Sequence, residues 1–224
     1  IGTPPTDEEI AEFLDRTGAE ILHVGRGNPT RGGFLVKKDP AVEIDLSAIA
    51  PGYAADHVAS GLYALDREDF LVEIGGELFA AGHRPDGQAW HVAIEEPVED
   101  ARRIHSVVAL SDQGLATSGD YRAYYLDGGR RISHTIDPRT GRPIENGMAS
   151  ATVIAPTAAQ ADGFATALMV LGAKEGLALA ANWKLGAMTL TRTADGGFTE
   201  ERNALYPEPI RTTDGRHADD AAAS

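Results

Sequence analysis

Hydrophobic positions along this chain follow two periods, and together they predict an α+β fold. Alternating or continuous apolar runs indicate β-strands, whereas apolar spacings of three and four indicate amphipathic helices. Strands are predicted at 34–36, 42–46, 70–74, 78–82, 90–94, 106–110, 114–117, 131–135, 150–155 and 186–191. Helices are predicted from Thr6 to near Gly18, from Ala50, over 157–171 and over 174–182. Strands dominate, so we expect antiparallel sheets with packed helices in one domain over residues 1–205.

Turn residues predict how several of these strands pair. The strands at 34–36 and 42–46 are expected to form a hairpin. The strand at 78–82 is expected to turn at residues 85–87 and return as 90–94, because Pro, Asp and Gly favour tight turns.

Two predicted helix starts have the spacing of a capping box. In this motif a Ser or Thr hydroxyl and a Glu or Gln side chain three residues later accept hydrogen bonds from free backbone N–H groups. The pairs are Thr6 with Glu9, and Thr157 with Gln160. At the other end of the chain, residues 206–224 are rich in Pro, Arg and Asp and end in Ala-Ala-Ala-Ser. We therefore expect a poorly ordered tail there.

Composition excludes several kinds of function. The 224 residues carry a formal net charge of −14, which disfavours binding to nucleic acid or to an anionic membrane. An anionic ligand would need local compensation from a cation, a helix N-terminus or clustered Arg. The chain has no cysteine, so disulfides, thiolate chemistry and Cys-ligated metal sites are excluded.

No apolar run approaches the ~20 residues of a membrane-spanning helix. The chain begins at Ile1 and not at Met, and no signal peptide is visible. We expect a mature or trimmed form, whose sequence does not show where the protein is targeted.

Asp162 and Thr166 form the first candidate site. They are four residues apart on a predicted helix and therefore share a face. A carboxylate and a hydroxyl there offer two oxygens to Mg²⁺, which prefers oxygen ligands and often shares them with a substrate phosphate. The alternative is structural: Asp162 stabilises the helix dipole near the N-terminus while Thr166 packs.

His134 forms the second candidate, just before the turn at residues 137–141, which contains both Pro and Gly. A histidine beside a rigid loop could act as a general base or donate to a phosphate. A hydrogen-bonded structural histidine is the ordinary alternative.

Two further stretches would let backbone approach a ligand. Gly75-Gly76 follows an apolar strand, and a β-bulge would explain the glycines equally well. Residues 45–53 lead from a strand into a helix whose free N–H groups could hold a phosphate, or which simply begins there. Glu95 and Glu96 are most simply a solvated strand end.

These stretches together resemble one family in order and spacing. Residues 45–56, DLSAIAPGYAAD, resemble the D-L-G-G-I-A-K-G-Y-A-V-D segment of the ApbE family. Similar blocks follow at 74–77 (IGGE), 90–97 (WHVAIEEP), 117–121 (TSGDY), 134–141 (HTIDPRTG) and 161–168 (ADGFATAL). The family includes relatives in nitrous-oxide-reductase maturation, among which G-G-E in the second block is common.

The resemblance implies an Mg²⁺-dependent transferase that cleaves FAD, attaches FMN through a phosphoester to a Thr or Ser of a target flavoprotein, and releases AMP. By the same resemblance, Asp162, Thr166 and the Ala50 carbonyl would hold the metal, and His134 would be catalytic. The flavin nucleotide would contact Ala50, Gly52, Tyr53, Gly75, Gly76, Glu77, Glu95, Thr117, Ser118, Gly119 and His134. The family also implies a periplasmic or cell-envelope location.

Three departures from the family pattern keep other functions open. Pro51 stands where the family segment has Lys, Ser47 and Ala48 replace its paired glycines, and the domain is expected to be short at its N-terminus. The alternatives are a flavin-binding protein without turnover, an Mg²⁺-dependent FAD pyrophosphatase, and an interaction domain without cofactor.

Overall fold

A computed structural model describes residues 4–27, 32–98, 102–120, 124–127 and 130–210. The helices are α1 (Asp7–Leu14), α2 (Ala50–Tyr63), α3 (Ala158–Leu171) and α4 (Ala173–Asn182), with a short 3₁₀ helix at Ala19–Ile21. The strands before residue 120 are β1 (Leu22–Gly25), β2 (Phe34–Lys37), β3 (Phe70–Ile74), β4 (Glu77–Ala81), β5 (Trp90–Glu95), β6 (Ile104–Leu110) and β7 (Gln113–Gly119). The later strands are β8 (Tyr124–Asp127), β9 (Arg130–Ser133), β10 (Ile136–Asp137), β11 (Arg142–Pro143), β12 (Met148–Ala155), β13 (Gly186–Arg192) and β14 (Phe198–Arg202).

Six antiparallel strands form the central sheet, in the order β14-β13-β12-β7-β4-β3. Every residue of β12 is buried. The other described strands pair as antiparallel ribbons, β1 with β2, β5 with β6, β8 with β9 and β10 with β11. The predicted α+β fold with antiparallel sheets and packed helices is confirmed.

The sheet separates two hydrophobic cores. On one face, α3 and α4 pack their small and apolar side chains, including Ala165 and Leu168, against Ala151 and Val153 of β12. On the other face, the β5–β6 ribbon contributes residues such as Ile94 to a core with Leu115. Helix α2 covers the β3–β4 edge and contacts α3. The first turns of α2 and α3 meet beside the start of β7, where a Cβ on Gly114 would lie 2.3 Å from the Ala158 nitrogen.

The caps predicted for α1 and α3 are present. Thr6 and Glu9 form a reciprocal capping box. The Thr157 hydroxyl accepts from the Gln160 N–H at 3.1 Å. Helix α1 ends earlier than predicted, at Leu14 instead of near Gly18.

Both predicted hairpins are wrong. Strand β2 pairs with β1, and 42–46 contains no strand in the structure. Strand β4 pairs with β3 and β7, whereas β5 pairs with β6. Periodicity reports the conformation of a segment and carries no information about its partner, which tertiary packing selects.

The predicted tail begins too early. Tyr206 is buried in the core beneath β5 and β6, and the Ile210 N–H donates to the Val107 carbonyl oxygen at 2.8 Å. Residues 211–224, the rest of that prediction, lie outside the described residues. Within the described chain, no helix combines the length and hydropathy that crossing a bilayer requires.

Candidate active site

One cleft gathers most of the residues that the sequence analysis singled out. It encloses about 430 Å³ and opens to solvent. The first turn of α2, the start of β4, the end of β7, the loop after β9 and one face of α3 form its walls. The described residues that line it are Ser47, Ala48, Pro51, Glu77, Thr117, Ser118, Gly119, His134, Thr135, Ile136, Asp162, Thr166, Met169 and Val170.

Asp162 is buried, and it joins the two helices that frame the cleft. Its Oδ2 accepts from the Gly52 N–H at 3.0 Å, so α3 supplies a cap for α2, whose N-cap residue Ile49 makes no side-chain cap hydrogen bond. Burial raises the pKa of Asp162, and the hydrogen bond from Gly52 opposes that shift. Among the described residues, nothing donates to Oδ1. One oxygen is therefore fixed by the fold while the other remains available to a ligand.

Thr166 and Ser118 meet at the floor of the cleft. Their Oγ atoms are 3.2 Å apart, which links α3 to the end of β7. Thr166 lies one turn after Asp162 on the same helix face, as the spacing predicts. The structure thus unites two residues that the sequence analysis reached through separate motifs.

Glu77 adds a second carboxylate to the cleft. A two-residue hairpin joins β3 to β4 through Gly75 and Gly76, both with positive φ (71° and 109°), and pairs Ile74 with Glu77. Such turns favour glycine, so these glycines form a hairpin turn and not a bulge. Glu77 Oε2 is buried and has no hydrogen-bond partner among the described residues. Burial first, and then the nearby charge of Asp162, raise the pKa of Glu77.

The donor set fits a hard cation such as Mg²⁺. An orphaned buried carboxylate oxygen beside a second carboxylate is costly without a positive partner. Among the described residues, no three His, Asp or Glu side chains converge as a ligand group. A sparse set of this kind suits Mg²⁺, which typically takes one or two carboxylates and completes its octahedron with waters and substrate phosphates.

His134 lies on the exposed rim of the cleft, just before the turn at 137–141. That turn is rigid: the Gly141 N–H donates to the Asp137 carbonyl oxygen at 2.8 Å, and Gly141 has φ +67°. Arg139 pairs with the Asp137 carboxylate at 2.7 Å and lowers the pKa of Asp137 through its side-chain and backbone hydrogen bonds. The ordered turn fixes the rim that carries the imidazole.

The cleft is acidic. Its described lining contains two carboxylates and one imidazole, and no Lys or Arg. Pro51 lines the cleft at the position where the family segment has Lys, so no basic side chain extends into the cleft from there. An anionic ligand here would therefore depend on a cation for charge compensation.

Other predicted contacts lie beside or away from this cleft. Gly75 is adjacent, since a Cβ there would lie 3.0 Å from Glu77 Oε2 and 3.4 Å from the Pro51 Cβ. Ala50 is the first residue of α2, next to Pro51. Tyr53 is exposed, with its ring stacked on that of His57 at 6.1 Å. Glu95 ends β5 and pairs with Arg102 at 3.6 Å, and it is not among the described lining residues.

Three residues near this site carry no local sequence signal for a role in it. Met169 and Val170 line the cleft, although helical periodicity marks them only as core. Asp56 lies in the middle of α2 and accepts from two backbone N–H groups of α3, a contact more than 100 positions away in sequence. No local pattern reveals such a partner. Tyr121, in the fourth family block, lies outside the described residues.

Known proteins resemble this chain in both sequence and structure. The FAD:protein FMN transferase of Haemophilus influenzae is 39% identical over 209 residues, covering 93% of this chain and 60% of the relative. The flavin transferase ApbE from Vibrio cholerae matches with a TM-score of 0.76 and 40% identity, covering 91% of this chain and 62% of that one. The ApbE protein of Thermotoga maritima matches with a TM-score of 0.75 at 29% identity, covering 90% and 63%.

The chain spans about 60% of the length of these relatives. The model of the ApbE family matches residues 2–189, which include the described cleft. The chain belongs to the ApbE family.

Proposed function

We propose that the protein is an Mg²⁺-dependent FAD:protein FMN transferase. The observation that carries this proposal is the cleft in which Asp162, Glu77 and Thr166 turn oxygen donors inward below the His134 rim. The names of the H. influenzae and V. cholerae relatives support the same reaction. An acidic cleft of this size suits the pyrophosphate of a nucleotide brought in with a cation.

In the proposed reaction, a Thr or Ser hydroxyl of the acceptor protein attacks the phosphorus on the FMN side of the FAD pyrophosphate. The new P–O bond joins FMN to the acceptor, and the bond to the AMP oxygen breaks. Bound Mg²⁺ would neutralise phosphate charge and polarise the phosphoryl oxygens. Asp162, Glu77 and Thr166 would hold it, with the Ala50 carbonyl as the further ligand that the family resemblance implies.

The remaining residues position the reactants. The Gly52 N–H donates to one carboxylate oxygen of Asp162. This hydrogen bond orients the carboxylate, so the other oxygen points towards the cleft. Ser118 holds the Thr166 hydroxyl in place from the end of β7. The His134 imidazole, exposed on the rim, would take the proton from the attacking hydroxyl, where an acceptor segment arriving from solvent can reach it.

The test uses the full-length protein with FAD, Mg²⁺ and a flavoprotein subunit that carries an acceptor Thr. AMP release together with covalently bound FMN supports the transferase. AMP with free FMN, whether or not the acceptor is present, indicates a pyrophosphatase instead. FAD that stays bound and intact indicates a flavin-binding protein, and no FAD binding indicates an interaction domain.

Asp162→Asn is the matched variant in that assay, because its amide oxygen can still accept from Gly52 while the charge is lost. We expect this variant to remain folded and to lose metal-dependent AMP release. AMP release at the wild-type rate would contradict the assignment of Asp162 to the metal.

A further inference from the structure

Asp56 caps a helix to which it does not belong. It lies in α2, yet its Oδ1 accepts from the Ala158 N–H at 2.8 Å and its Oδ2 from the Ala159 N–H at 2.9 Å. The first N–H groups of a helix lack intrahelical partners and carry partial positive charge. A carboxylate that accepts two of them makes strong, charge-assisted hydrogen bonds.

Helix α3 already has an N-cap of its own, so the hydrogen bonds from its first turn to Asp56 do more than cap the helix. The Thr157 hydroxyl accepts from the Gln160 N–H within the same helix start. The carboxylate of Asp56 instead ties the start of α3 to the middle of α2.

The two helices exchange caps. Asp162 of α3 accepts from Gly52 at the start of α2, while Asp56 of α2 accepts from the start of α3. Gly52 and Asp56 are one turn apart, as are Ala158 and Asp162. Two bonds separated by one turn on both helices fix the rotation of α3 as well as its distance from α2.

The contact between the helices is also close. A Cβ on Gly52 would lie 2.5 Å from the Ala158 carbonyl oxygen. The backbones of the first turns of α2 and α3 are therefore in direct contact. A small rotation of α3 would move Asp162 and Thr166 together, since both project from the same face. It would also separate Thr166 from Ser118 on β7.

We propose that Asp56 is a positioning residue for the cation site, acting through α3 to hold Asp162 opposite Glu77 and Thr166 beside Ser118. The inference rests on the proposed function, because it assigns Asp56 a role in that site. Asp56 itself is not among the described residues that line the cleft. Groups that orient metal ligands typically change metal affinity by about 10–100-fold when they are removed.

The experiment compares Asp56→Ala and Asp56→Asn with Thr157→Ala in the full-length protein. Thr157→Ala removes a cap from the same helix start, and the lost hydrogen bond lies within α3, so the variant controls for simple loss of helix stability. Each variant is titrated with Mg²⁺ in the presence of FAD by calorimetry, well below its melting temperature. The melting temperature is measured separately without metal.

We expect Thr157→Ala to melt earlier while its Mg²⁺ affinity stays within about twofold of wild type. Asp56→Ala is expected to weaken Mg²⁺ binding by about tenfold or more. Asp56→Asn keeps one oxygen acceptor and is expected to fall between Asp56→Ala and wild type. It also serves as the test if Asp56→Ala does not fold.

Equal Mg²⁺ affinities for the Asp56 variants and Thr157→Ala would overturn the positioning role and leave the proposed function intact. Asp162→Asn separates the two ideas, since it should abolish binding if the cation site is right. If wild-type protein binds no Mg²⁺, or if Asp162→Asn binds it as wild type does, both the cation site and the role of Asp56 are wrong.

Discussion

Glu77 and Asp162 bring two carboxylates into one cleft, and the charge of Asp162 adds to burial in raising the pKa of Glu77. Glu77 reaches the cleft because the β3–β4 hairpin turns in two residues. Asp162 reaches it because the Gly52 N–H anchors its other oxygen. Two like charges in a partly desolvated site destabilise the metal-free fold and favour a cation.

Glu77→Gln is therefore expected to raise the melting temperature in EDTA and to reduce the further rise that Mg²⁺ produces with FAD. The increase without metal should be about 1–3 °C, because partial exposure screens the repulsion. Thermal melts in EDTA and in excess Mg²⁺ measure both effects. Glu201→Gln, at an exposed position on β14, is the control and should change neither value appreciably.

Pro51→Lys is expected to make nucleotide binding less dependent on metal. A lysine there would place an ammonium in a cleft whose described lining holds no basic side chain except His134. FAD affinity in EDTA should rise by roughly fivefold, the gain from one screened charge pair at contact distance. Fluorescence quenching measures it at low and high salt. An FAD affinity unchanged at low salt would show that the phosphates do not lie near residue 51.

His134→Ala is expected to lower FMN transfer by about 10²–10⁴-fold while FAD still binds, because removing a general base affects the chemical step. His91→Ala, which loses an exposed histidine on β5, is the matched control and should retain the wild-type rate. Single-turnover transfer and FAD quenching are measured on both. A lower melting temperature with a normal rate per folded molecule would make His134 structural instead.

Two glycines of α2 are expected to respond to alanine in opposite directions. A Cβ on Gly61 meets no atom of the described residues within 4 Å, so Gly61→Ala should stabilise by roughly 0.5–1 kcal/mol through helix propensity. A Cβ on Gly52 would lie 2.5 Å from the Ala158 carbonyl oxygen. Gly52→Ala should therefore destabilise and also weaken Mg²⁺ binding, because it forces α3 away. Chemical denaturation and metal titration check the pair, and similar stability for the two variants would contradict the close helix contact.

The sequence predicted the parts of the site better than their assembly. Asp162 and Thr166 could be paired because one turn of helix separates them, and local periodicity carries that relation. The hydrogen bond between Ser118 and Thr166 spans 48 positions and has no local signature. The cap from Asp56 to α3 was missed for the same reason.

The fold shows the same limit. Residues 78–82 were identified as a strand, yet their partner in β7 lies more than 30 positions further on. The sheet buries β4 between β3 and β7, and this choice of neighbours follows from the packing of both cores. Turn residues at 85–87 suggested a nearer partner that the packing does not select.

The two walls of the cleft differ in local stability, because only one of them packs on the buried central strand β12. The wall formed by β7 and α3 packs on β12, whose residues are all buried. Amide hydrogens there are expected to exchange with solvent only through large openings of the molecule. The opposite wall includes the mostly exposed stretch 44–49, which leads into α2 and can open at lower cost than β12. A nucleotide bound between the two walls would slow exchange mostly in 44–49 and scarcely in 148–155. The stable wall of β7 and α3 would thus set the geometry of the reaction. Opening of the less stable wall would control the rate at which the bound nucleotide dissociates.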